Sequence, residues 1–290
     1  MTRQTLKRFA LAGCAIAWLA ATATASAQTS QAIEKLVNVG QYNLNFRIVS
    51  GNETTILLES GGGGSSADWG TLLDRIARET GATVVAYDRA GFGKSDLPDT
   101  KFDIVQETGW MWQALKQLGL DRRVILVGHS FGGVMIRLES SQHPEAVKGL
   151  VFVDPFTWEL VDALGLQYCL NHPMMGKLPF DVSRPETLTR RQRAMVRFSG
   201  APGNNLPEWC AVVRRVSVPK GIPVRVITSG RTDWLPKPEE HKYWRESHER
   251  LTASIKGAKL VVADESDHMV PRRQPDLFVS VVGEVLKLAK

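Results

Sequence analysis

Short, unbroken apolar runs recur along this chain, each followed by a stretch with helical spacing, and that rhythm leaves few folds open. Residues 54–59, 83–87, 123–127 and 147–153 each read as a strand buried on both faces. Helical periodicity fills the intervals. Residues 68–79 put Leu72, Leu73, Ile76 and Ala77 on one face, and 103–118 and 131–142 follow the same period. The rhythm resumes later as strand 223–228, helix 239–255, strand 259–263 and helix 275–288. Residues 42–50 alternate loosely and run into the turn signal Gly51-Asn52. Strict strand–helix alternation predicts the α/β class, with a doubly wound, mostly parallel sheet covered by helices on both faces. Residues 155–221 break the rhythm and are too many for a structureless loop, so they are expected to form a partly helical cap over the sheet's carboxyl edge.

With 290 residues, 43% of them hydrophobic and 23% charged, the chain can bury a large core without disulfide or metal staples. No 20–50-residue repeat occurs, which excludes solenoids and propellers. Arg3, Lys7 and Arg8 precede an apolar or small-residue stretch that ends in Ala25-Ser26-Ala27. Residues 1–27 therefore read as a secretory signal cleaved after Ala27, leaving residues 28–290 as one domain and placing the protein outside the cytoplasm or in a periplasm. The alternative, lipoprotein processing at Cys14, has only residues 9–11 as its hydrophobic region. The apolar stretch also falls short of the roughly 20 residues that span a bilayer, so no stable membrane anchor is expected. Loss of the signal removes three basic residues and lowers the formal net charge from +6 to +3. The remaining basic residues are scattered, which argues against nucleic acid as a partner.

The chemistry concentrates at Gly128-His129-Ser130-Phe131-Gly132. G-x-S-x-G alone is a weak signal, but here it follows a buried strand directly and opens a helix directly. A sharp strand-to-helix turn lifts its central hydroxyl clear of the sheet, and the helix N-terminus below supplies unpaired N–H groups for a developing oxyanion.

With that elbow in place, the chain resembles the α/β-hydrolase fold superfamily over essentially all of residues 28–290. Residues 88–95, Asp-Arg-Ala-Gly-Phe-Gly-Lys-Ser, are similar to that family's D-x-x-G-x-G-x-S turn. The resemblance implies Ser130 as nucleophile and the Phe131 N–H as one oxyanion donor. The second donor is implied in the loop Ser60-Gly61-Gly62-Gly63-Gly64, at Gly62 with Gly61 next, although Ser60 stands where the family usually has histidine. His268, after the last strand and seven residues before Pro275, matches the family's base. His129 is expected to pack under the elbow, His143, His241 and His248 to lie on solvated helix faces, and His172 in the cap.

Two positions offer the acid. Asp233 stands in Gly-Arg-Thr-Asp after strand 223–228, the family's commonest site, and is preferred; Asp154, after strand 147–153, is the alternative. Without Cys14, Cys169 and Cys210 remain, both in the expected cap and candidates for a disulfide in an oxidising compartment. No metal-ligand spacing or phosphate loop occurs, so neither metal nor cofactor is implied.

The leading expectation is a serine hydrolase acting through an acyl-enzyme on a small carboxylic ester, with Trp158, Tyr168, Met174, Met175, Phe180 and Trp209 suggesting an apolar pocket. Ser130 argues against haloalkane dehalogenases and epoxide hydrolases, which place aspartate there. Aminopeptidase-like or carbon–carbon bond hydrolysis is the alternative, cofactor-free haloperoxidase chemistry uses the same triad, and a non-catalytic binding protein on a hydrolase scaffold is the reading from another class. Oligomeric state leaves no trace in the sequence.

Overall fold

The computed structural model describes residues 31–172, 178–201, 205–231 and 233–289. Residues 1–27, read above as a signal, with Cys14 among them, and Met174 and Met175 lie outside them. Eight strands form one sheet: β1 (Ile33–Asn38), β2 (Asn43–Val49), β3 (Asn52–Glu59), β4 (Ala82–Tyr87), β5 (Val124–His129), β6 (Val147–Val153), β7 (Val224–Ser229) and β8 (Lys259–Ala263), in the order β1-β2-β4-β3-β5-β6-β7-β8. β2 runs antiparallel to β1 and β4, and the remaining neighbours are parallel.

The two-residue period of each strand sorts its side chains between two layers. Leu57, Val85, Leu126 and Leu150 face a core shared with α2 (Ile104–Leu118) and α3 (Phe131–Gln142). Ile56, Val84, Ile125 and Val127 face the opposite core, closed by α1 (Leu72–Thr80) and, at the C-terminus, by the helix Pro275–Leu288. Both faces are therefore dry, which is why these strands read as continuous apolar runs.

Between β6 and β7 lie α4 (Trp158–Leu164), α5 (Leu166–Asn171), α6 (Arg190–Ser199) and α7 (Leu206–Val213). Val161, Leu206, Trp209 and Val213 of this insertion pack on Phe102, Phe131, Val134 and Leu138. After β7 come α8 (Pro238–Ser254), the short α9 (Val270–Arg273) and α10 (Pro275–Leu288). Among the described residues, no helix is long and apolar enough to cross a membrane.

Several local expectations change. The helix expected over 68–79 splits into a 3-10 turn, Ser66–Trp69, and α1, because Gly70 at φ 51° breaks the register. β1 is an additional strand, mostly exposed, with no apolar run to announce it. His248 is fully buried rather than solvated. Cys169 and Cys210 are buried free thiols in the apolar cluster under the insertion, so the disulfide candidate is corrected. Burial pushes the two thiols up to about 11 and about 12, which keeps the reactive thiolate scarce.

Candidate active site

The loops that follow β3, β4, β5, β6, β7 and β8 meet at the carboxyl edge of the sheet, where open α/β folds place their ligands. Ser130 sits at the end of β5 with φ 53° and ψ −119°, a backbone conformation costly for any residue but glycine. The flanking glycines permit it. A Cβ at Gly128 would stand 2.3 Å from the Gly132 carbonyl oxygen, and one at Gly132 would stand 2.4 Å from that of Glu59. The Ser130 backbone is held on both sides: its N–H donates to Val153 at 3.0 Å, and its carbonyl accepts from Gly133 at 2.9 Å and Phe156 at 3.0 Å.

A cleft of about 250 Å³ opens over this serine, lined by Gly61, Gly62, Trp69, His129, His268 and Arg272 among others. His268 donates from Nδ1 to Asp154 Oδ2 at 2.7 Å. Asp154 is fully buried and has the second positive φ of a non-glycine residue among those described, 43°. Its other oxygen accepts from the Ser229 N–H at 2.7 Å and from Trp244 Nε1 at 3.0 Å. Burial works to raise the pKa of this carboxyl, but the hydrogen bond and charge of His268, the charge of His248 and the Ser229 N–H outweigh it and hold it at about 2.

Asp233 is elsewhere. Its side chain is 65% exposed and pairs with Arg231 at 2.8 Å. The preferred acid of the sequence is therefore corrected to the alternative: the loop after β6 brings its carboxylate to His268, and the loop after β7 does not. What the β7 loop contributes instead is Trp234, stacked on the His268 ring with centroids 4.6 Å apart. Trp244 meets the same ring edge-on at 5.5 Å, and His129 lies 4.7 Å away. Neither tryptophan was singled out from sequence, because aromatic residues ahead of and within a helix look like ordinary packing.

His129 is not placed as a base. Its Nε2–H donates to the backbone carbonyl of His268 at 2.8 Å. Burial first, and then the adjacent His268 charge, lower its pKa to about 3. His248 lies behind Asp154, its Nε2–H on the Pro155 carbonyl at 2.8 Å and its Nδ1 facing the Thr228 hydroxyl at 2.9 Å. Burial lowers its pKa as well.

These shifts set a pH dependence. His129, lowered to about 3, stays neutral when folded but takes up a proton when unfolded below about pH 6.5, so stability falls with pH from there, and the lowered pKa of His248 acts in the same direction. Asp154 has a folded pKa below its unfolded value near 3.9; its contribution, about 2–3 kcal/mol, is whole above about pH 4 and lost as pH falls toward 2. Calorimetry should therefore show the thermal midpoint dropping continuously below about pH 6, and a midpoint flat down to pH 4 would contradict a neutral buried His129.

The residues expected to supply the oxyanion donors also come together. Gly62 and Ser130 line the same cleft, and a Cβ at Gly62 would stand 3.8 Å from Cβ of Phe131. By contrast, Trp158, Tyr168, Phe180 and Trp209 do not line this cleft. Trp209 packs edge-on against Phe131 at 5.5 Å, inside the core of the insertion.

Residues 54–182 match the family described as alpha/beta hydrolase fold. The chain has the α/β-hydrolase fold. It is 33% identical over 129 residues to a proline iminopeptidase of Lactobacillus delbrueckii subsp. bulgaricus, a match spanning 42% of this chain and 43% of that protein's length. It is 29% identical over 154 residues to the 2-hydroxy-6-oxo-6-(2'-aminophenyl)hexa-2,4-dienoic acid hydrolase of Metapseudomonas resinovorans, covering 52% of this chain and 50% of that one. Among solved structures, a serine hydrolase involved in carbazole degradation superposes with a TM-score of 0.63 at 20% identity, over 89% of this chain and 99% of that one.

Proposed function

We propose that this α/β-hydrolase-fold chain is a secreted serine hydrolase that works through an acyl-enzyme on small carboxylic esters. The supporting observation is the pair of buried Asp154 and half-buried His268 opening into the cleft that holds Ser130 on its strained elbow. Asp154 keeps the His268 proton on Nδ1, so Nε2 is free to take the Ser130 proton as the hydroxyl attacks an acyl carbon. The negative charge that develops on the acyl oxygen falls between the N–H groups of Gly62 and Phe131 and the N-terminus of α3. His268 then returns the proton to the leaving alcohol, and water attacking the ester of Ser130 repeats the sequence.

Ester is favoured over an amino-terminal dipeptide by Asp68, the one acid among the described residues that line the cleft. A free substrate amine needs a carboxylate whose charge is not already balanced, and Asp68 is paired with Arg272 at 3.3 Å while its Oδ2 accepts the Ser65 N–H at 2.9 Å. Carbon–carbon bond hydrolysis is the second reading, supported by the relative from Metapseudomonas resinovorans. Secretion rests on residues 1–27, and an exported form beginning at Gln28 would support it.

A fluorophosphonate probe tests the core of the proposal. One equivalent should attach at Ser130 and none to Ser130→Ala. A folded wild-type protein that takes up no probe would leave a binding protein on a hydrolase scaffold. A panel containing p-nitrophenyl acetate and butyrate, a prolyl p-nitroanilide and a vinylogous 1,5-diketone then separates the substrate classes, with the esters expected to turn over fastest.

A further inference from the structure

Arg89 follows β4 within the Asp-Arg-Ala-Gly-Phe-Gly-Lys-Ser turn and is only 2% exposed. Its Nη1 donates to the Glu59 carboxylate at 2.9 Å and to the Ser60 carbonyl at 2.7 Å, and its Nη2 donates to the Gly61 carbonyl. The guanidinium carbon also lies 5.7 Å from the centre of the Phe131 ring and 6.0 Å from that of Phe198. One side chain thus touches both segments that carry the proposed oxyanion donors, yet it does not line the cleft, whereas Gly61 and Gly62 do.

Such a group is costly to keep. Burying a guanidinium and the Glu59 carboxylate gains little or no net stability over apolar packing of the same volume. A second buried acid, Glu139 of α3, lies close enough to the pair to feel it: burial, and then the charge of Glu59, push its carboxyl well above the usual range. The benefit is found instead in the geometry of the loop. A trans peptide is planar, and its C=O and N–H point in opposite directions. Fixing the carbonyls of Ser60 and Gly61 toward Arg89 therefore aims the N–H groups of Gly61 and Gly62 away from it, toward the side where the cleft lies. Residues 61–64 are all glycine, with no side chain of their own to hold those planes.

We propose that Arg89 is a positioning residue for the oxyanion hole, which sets the direction of the Gly61 and Gly62 N–H groups through the carbonyls behind them and braces the ring of Phe131 beside the other donor. This rests on the serine-hydrolase reading above. Negative charge on the acyl oxygen appears only in the transition state, so loosening the donors lowers kcat and spares KM.

The test compares Arg89→Met/Glu59→Gln, which removes both partners of the buried pair so that neither is left as an orphaned charge, with Arg89→Lys, which keeps the charge but replaces the planar fork by a single ammonium. With p-nitrophenyl acetate, the double variant should lose about 10²–10³-fold in kcat, the range for one lost oxyanion donor, with KM within about threefold of wild type. Arg89→Lys should show the same split with a smaller loss. The affinity of phenylboronic acid, whose tetrahedral adduct on Ser130 places an oxygen in the hole, should fall in step with kcat/KM. A purely structural role would lower the thermal midpoint without that parallel. If wild type takes the fluorophosphonate at Ser130 while the folded variants keep kcat within threefold, the role of Arg89 is overturned and the serine hydrolase stands. If wild type takes no probe, both fall.

Discussion

Asp154→Asn should lower kcat by about four orders of magnitude, while Asp233→Asn leaves it within about twofold. The size follows from where the hydrogens must go. Asp154 Oδ1 accepts two donors, the Ser229 N–H and Trp244 Nε1–H, and Oδ2 accepts one, His268 Nδ1–H. An asparagine in that place has one oxygen and one NH₂. The two donors at the first position hold the oxygen there, so the NH₂ faces His268. The imidazole must then turn its bare nitrogen toward the amide and carry its proton on Nε2, where it can no longer take one from Ser130. Asp233 is solvent-exposed and paired with Arg231, a surface contact of little energetic weight. Steady-state kinetics on both variants, with circular dichroism to confirm folding, decides it. Equal losses, or a silent Asp154→Asn, would remove Asp154 from the mechanism.

That prediction also marks where the sequence stops being informative. The sheet was legible because parallel strands buried on both faces must be apolar along their length, and the elbow was legible because a glycine–serine–glycine turn between strand and helix has few other uses. His268 could be found from its place after the last strand. The acid could not, since Asp154 and Asp233 each follow a strand that ends at the same edge. The choice between them is made by a positive φ at Asp154 and by donors 75 and 90 residues further along the chain, none of which leaves a local trace. The same holds for His248, whose helix is polar overall but turns this ring inward to Thr228 and Pro155. Arg89 lay inside a recognised motif, yet its contacts to the Ser60 and Gly61 carbonyls span about thirty residues and appear only in three dimensions.

Ser130→Ala and His268→Ala should each lower kcat by at least about three orders of magnitude, and the double variant should be no worse than either alone. Nucleophile and base act on one proton. Without the hydroxyl, His268 has nothing to deprotonate; without the imidazole, Ser130 remains a neutral alcohol and a poor nucleophile. A second deletion therefore removes a function already absent. What survives in all three variants is the cleft with its backbone N–H donors, which alone retain part of the rate advantage over water. The fold should tolerate these changes. Ser130→Ala keeps the elbow's glycines and its backbone bonds to Val153, Gly133 and Phe156. His268→Ala is harsher, because it leaves the buried Asp154 charge with the Ser229 and Trp244 donors but without its imidazole. That variant should be less stable than Ser130→Ala at pH 7, and the gap should narrow toward pH 5, because a buried carboxylate that has lost its imidazole is relieved by protonation; thermal melts at the two pH values would show it. Losses that multiply in the double variant would mean that Ser130 and His268 serve separate steps rather than one proton transfer.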